Sequence, residues 1–103
     1  SPKLDAIFCV NDMLALGAID GIRSMGFQVP QDVWVVGYDD IELSSWDSYD
    51  LTTVRQPIQG MVNLAVDLLL AKIANPGKAQ VLMKLPNELV VRSSSEGRAF
   101  LET

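Results

Sequence analysis

Two short apolar runs, each cut off by a pair of polar residues, constrain this chain most. "AIFCV", residues 6 to 10, stops at Asn11-Asp12; "VWVVGY", residues 33 to 38, stops at Asp39-Asp40. Runs this short and rich in β-formers suit strands buried on both faces, as in a parallel sheet. Between them lies "NDMLALGAIDGIRSMG", residues 11 to 26. Asn11 or Asp12 is a good N-cap and Gly26 a good residue just past the end. Ala15, Ala18, Ile19 and Ile22 follow helical spacing and are expected to face the sheet. Strand, helix and strand in that order define a βαβ unit and predict an α/β fold with a largely parallel sheet flanked by helices.

The rest of the chain continues the pattern. Residues 40 to 50 are polar, with room for a short helical turn. "LTTVRQ", 51 to 56, reads as a third strand ended by Pro57. Residues 58 to 75 read as a long helix stopped by Asn75-Pro76-Gly77, with Ile58, Met61, Val62, Ala65, Leu68 and Leu69 as its core face. "QVLMKL", 80 to 85, and "ELVVRS", 88 to 93, read as strands, and a loose tail is expected from Ser94. The 103 residues allow one domain at most, and a start at Ser1 without Met suggests a fragment of a longer protein.

Composition narrows the function classes. Thirteen acidic against eight basic residues give a net charge of −5, with no basic patch for a phosphate backbone. Cys9 is the single cysteine and histidine is absent, which excludes an internal disulfide, cysteine-based zinc sites and His-dependent triads. No window approaches a membrane span. Gly17 and Gly21 are too sparse for a phosphate-binding loop.

Ligands of open α/β sheets bind beyond the carboxyl ends of the strands. Asn11-Asp12, Asp39-Asp40 and Arg55-Gln56 occupy those ends. Amides and a carboxylate suit a ligand rich in hydroxyls, because a carboxylate accepts paired hydrogen bonds from a diol and amides both donate and accept. Each residue also has a plainer reading. Asn11 and Asp12 are helix caps, Asp39 and Asp40 turn formers, and Gln56 a loop residue before proline. Two adjacent carboxylates with Asp12 as a third are a weak case for Mg²⁺. Trp46 and Tyr49 suit either a sugar face or a protein interface, and Cys9 a core position.

The ordered series "FCVNDMLALG", "VPQDVWVVGYDD", "LTTVRQP" and "ELVVRSS" resembles the effector-binding core of the lactose/galactose-repressor (LacI/GalR) family, from about Asp5 to Ser95. The resemblance implies a fragment of a periplasmic-binding-protein-like fold of two α/β lobes. Residues 5–56 would belong mostly to the C-terminal lobe, 57–79 to a helix of the other lobe, 80–95 to returning strands and 96–103 to a tail. It implies no enzyme and no cofactor or metal, but a cytoplasmic transcription regulator, a repressor, whose core binds a sugar or nucleoside-like effector and dimerises. Operator DNA would be bound only through a headpiece that lies outside these residues. Asn11, Asp39 and Gln56 match the family's ligand-contacting positions, with Asp40 supporting the turn. Met13, Leu16, Leu43 and Trp46 match its dimer contacts; Met13 and Leu16 are expected off the core face of their helix. The alternative reading is an extracytoplasmic sugar-binding protein of a transporter, with the same fold.

Overall fold

The structure, a computed structural model, describes residues 3–96. These form two compact units, one of residues 3–55 with 89–96 and one of residues 56–88.

The first unit is built on the βαβ core. β1 (Ala6–Phe8) pairs in parallel with β2 (Trp34–Val36), Ile7 opposite Val35. α1 (Asp12–Ser24) joins them and opens on an Asn11 cap, whose Oδ1 accepts a hydrogen bond from the Leu14 amide at 2.9 Å. It closes on Gly26 at φ +86°. There the Gly26 amide donates to Arg23 O and the Phe27 amide to Ile22 O, a paired arrangement that satisfies the last carbonyls and requires the left-handed conformation glycine tolerates.

β2 then runs beside a third segment. Val36 bridges Thr52 in parallel, and the Gly37 and Asp39 amides donate to Thr52 O and Val54 O, each at 2.9 Å. β3 (Thr53–Arg55) continues this segment and also pairs with β4 (Glu88–Val90). Between β2 and β3 a single 3-10 turn, Glu42–Ser45, supplies the short helical element expected in that loop.

The core consists of Ala15, Leu16, Ile19, Val35 and Leu51, with Cys9, Ala18, Ile22, Val29, Ile41, Leu43 and Tyr49 packed around it. Leu16 corrects the expected helix face. It is 5% exposed and shares the buried stripe with Ala15 and Ile19, so that stripe is wider than the spacing suggested. β1 corrects another expectation. Ala6 and Phe8 are exposed and only Ile7 is half-buried, so this strand is not covered on both faces.

The expected loose tail is also corrected. Ser93–Ser95 form a 3-10 turn in which Ser94 and Ser95 are buried. The Ser94 hydroxyl donates to Val35 O at 2.6 Å and accepts from the Thr52 amide at 2.8 Å, which pins the segment across β2 and β3. The expected tail at 97–103 lies outside the described residues.

In the second unit, α2 (Ile58–Ala74) has no buried residue. Of its expected core face only Leu68 is even half-buried; Leu64, Leu68 and Ala71 form the inner stripe, while Ile58, Met61, Val62, Ala65 and Leu69 are exposed. The helix is apolar around most of its circumference, so periodicity could not select one side. Residues 80–85, expected as a strand, are irregular, for they find no ladder partner among the described residues.

Candidate functional site

The parallel ladder brings the strand ends of the first unit together. The Asp12 amide donates to Tyr38 O at 3.0 Å, and the Asp39 amide to Val54 O, so Asn11, Asp39 and Arg55 lie along one carboxyl edge. Gln56 follows immediately in the second unit and is half-buried. Asn11 keeps its cap through the carbonyl oxygen. Its NH2 group carries two donors that capping does not use.

Asp39 is exposed and adopts φ +123°, a backbone region few non-glycine residues enter. Such conformations cost about 1–3 kcal/mol and persist only where the surroundings over-determine them. Here the surroundings do so. The Asp39 amide is held by Val54 O, the Asp40 amide by Thr53 Oγ1 at 3.3 Å, and the Ile41 amide by Asp12 Oδ2 at 2.9 Å.

Asp12 is the residue that sequence reasoning undervalued. It is not the cap. Its carboxylate is fully buried and accepts from the Ile41 amide, from Ser44 Oγ at 2.6 Å and from Thr53 Oγ1 at 2.6 Å. It joins the start of α1 to the loop after β2 and to β3. Gly37 makes room for it: a Cβ there would collide with Asp12 Oδ1 and stand 3.0 Å from Leu51 Cδ2. No local pattern could announce contacts 29, 32 and 41 residues away in the chain.

Asp40 is half-buried and paired with two arginines, Arg55 Nε at 2.7 Å and Arg92 Nη2 at 2.9 Å. Burial would raise its pKa, but the hydrogen bonds and charges of Arg55 and Arg92 outweigh that effect and hold the carboxyl below its ordinary value. Arg92 also donates to Leu51 O at 2.9 Å. This partner was invisible in the sequence, where "VVRSSS" reads as the end of a strand.

Met13, in the first turn of α1, is 61% exposed, and Trp46, just past the 3-10 turn, is 55% exposed. Leu16 is core and Leu43 packs against the core, so of the four expected contact residues the two outermost are Met13 and Trp46. Tyr49 Oη donates to Asp20 Oδ2 at 3.2 Å and Arg23 Nη1 to Ser48 O, fastening the loop after the 3-10 turn onto α1. The Asp20 charge, with some desolvation and the hydrogen bond, raises the Tyr49 pKa. Burial pushes the Cys9 thiol up, as suits a packing residue. Among the described residues no group of three His, Cys, Asp or Glu could hold a metal ion, and no helix is long and apolar enough to cross a membrane.

A parallel sheet with polar residues gathered at its carboxyl edge is the arrangement of α/β binding proteins. The family profile described as periplasmic binding protein-like domain matches residues 1–95. The chain is 42% identical over 93 residues to the HTH-type transcriptional repressor PurR of Aliivibrio fischeri (strain ATCC 700601 / ES114), covering 90% of this chain and 28% of that protein. It is 39% identical over 94 residues to the ribose operon repressor of Haemophilus influenzae, covering 91% and 28%. A LacI family transcriptional regulator from Enterococcus faecium, solved with bound ribose, superposes with a TM-score of 0.78 at 33% identity, over 88% of this chain and 34% of that one. The chain belongs to the periplasmic-binding-protein-like domain family, and over nearly its whole length it is similar to transcriptional repressors and LacI-family regulators. It spans about 28% of the length of the curated relatives it matches.

Proposed function

We propose that this chain supplies the C-terminal part of the effector-binding core of a LacI-type transcription regulator, a repressor, that responds to a sugar or nucleoside-like small molecule. In this reading the first unit belongs to the C-terminal lobe and α2 to the other lobe. Asn11, Asp39 and Gln56 contact the effector. Met13 and Trp46, with Leu16 and Leu43 beneath them, belong to a homodimer contact. Operator DNA is bound through a headpiece outside these residues, and the protein works in the cytoplasm without catalysing a reaction.

The observation that carries the reading is Asp39, an exposed carboxylate at the sheet's carboxyl edge, held at φ +123° by its neighbours' hydrogen bonds. A backbone maintained there against its own preference presents a side chain in one defined place, as a binding site requires. The names of the relatives, both repressors, favour a regulator over the binding protein of a transporter.

Calorimetric titration of the intact protein with ribose, a disaccharide and a nucleoside tests the site. For whichever ligand binds, Asp39→Ala is expected to weaken binding by about 10- to 150-fold, the equivalent of a charge-assisted hydrogen bond of about 1.5–3 kcal/mol. Unchanged affinity in a folded Asp39→Ala protein removes this residue from the site.

A further inference from the structure

We infer that Asp40, rather than merely shaping its turn, is the positioning residue of this site: it fixes Asp39 and ties the Asp39 loop to both chain segments that lead out of and back into the first unit. The inference rests on the site reading above only for Asp39's role as a ligand contact.

The geometry is specific. Arg55 is the last residue of β3 and the last residue of the first unit before the chain passes into the second. Arg92 follows β4, three residues after the chain re-enters at Leu89. The two guanidiniums converge on the two oxygens of one carboxylate, Arg55 Nε on Oδ2 and Arg92 Nη2 on Oδ1. Arg92 carries more of the clamp. Its side chain is 14% exposed against 48% for Arg55, so its pair is less screened by solvent, and its second nitrogen is anchored on Leu51 O.

Asp40 is therefore a junction between three segments remote in sequence: the loop after β2, the outgoing strand and the returning strand. Asp39 is its covalent neighbour and occupies a conformation the chain would leave if released. Asp40 itself stands at φ +55°, a left-handed position that asparagine also tolerates. Asp40→Asn thus removes the charge without changing the backbone requirement. A ligand that draws on Asp39 acts on a loop whose next residue grips both connecting segments, so occupancy and the setting of those segments are mechanically joined.

Hydrogen–deuterium exchange of the intact protein tests this without any ligand. Asp40→Asn is expected to speed exchange at least tenfold in the peptides around residues 38–42, 53–55 and 89–93. Exchange in α1 should stay close to wild type, whereas a general loss of stability would speed it there as well. Arg92→Lys, which keeps the charge but loses the planar fork, should reproduce most of the effect. The double variant Asp40→Asn/Arg92→Lys should add little to either single change. Unchanged exchange at 38–42 in Asp40→Asn overturns the inference, and so does acceleration spread evenly through α1. Adding ribose reads the site separately. Ribose protection of 38–42 in wild type that is lost in Asp40→Asn supports the inference. Wild-type protein that ribose does not protect counts against ribose as the ligand, and the ligand-free exchange result then decides on Asp40 alone.

Discussion

Replacing Asp12 by alanine is expected to destabilise the first unit by about 3–5 kcal/mol, far more than the same change at its neighbour Asn11. The carboxylate is fully buried and accepts three hydrogen bonds, from the Ile41 amide, Ser44 and Thr53. Bonds to a charged acceptor contribute about 1.5–3 kcal/mol each. Their simple sum is too large for two reasons. The Ser44 and Thr53 hydroxyls can rotate toward other acceptors, and removing a buried charge also relieves its desolvation cost. The Ile41 amide is fixed by the backbone and loses its partner outright. Asn11→Ala, by contrast, removes a single exposed cap bond to Leu14 and should cost about 1 kcal/mol. Urea unfolding of the intact protein near neutral pH, followed by tryptophan fluorescence, compares the two variants directly. An Asp12→Ala protein no less stable than Asn11→Ala would show that the three contacts contribute nothing beyond a cap, and would refute the assignment of Asp12 as the hub.

Three further outcomes are expected. Gly37→Ala should cost about 2–4 kcal/mol in the same unfolding experiment, because its methyl group would displace the Asp12 carboxylate from its donors; a neutral Gly37→Ala would mean that Asp12 can move aside freely. The Asp40 ion pairs should make stability fall in acid. Its folded pKa lies below the unfolded value, so the contribution is complete above about pH 4 and is lost as pH drops through the lower folded pKa. Asp40→Asn should therefore be less acid-sensitive than wild type, and an identical pH profile for the two proteins would contradict the pairing. Finally, the protein should self-associate through the exposed Met13 and Trp46, and Met13→Asp with Trp46→Asp should shift it toward smaller species in light scattering; an unchanged mass would place the contact elsewhere.

Local chemistry in the sequence was enough for the frame of the first unit. The apolar runs before Asn11 and Asp39 are strands because β-forming side chains need a sheet. The helix between them starts at Asn11 and ends at Gly26 because a carbonyl oxygen and a left-handed glycine satisfy the backbone there. Placement of Asn11 and Asp39 at strand ends followed from the same short-range signals. The ordered motifs also sufficed to indicate the family to which the chain belongs.

Tertiary structure alone decided what each polar residue does at those ends. Asn11 and Asp12 are equivalent as caps on paper. Only the arrival of Ile41, Ser44 and Thr53 makes Asp12 a buried hub and leaves the cap to Asn11. Asp40 looked like half of an acidic pair until Arg92, 52 residues away, turned it into a clamp. Ser94 and Ser95 looked like a loose polar end, yet they are buried because Thr52 and Val35 accept and supply their hydrogen bonds. The burial of α2 was illegible for the opposite reason: a helix apolar on nearly every side carries no record of which side will be covered. A side chain's type and spacing encode its local preference, but a buried charge or hydroxyl is defined by partners that only the folded chain brings within bonding distance.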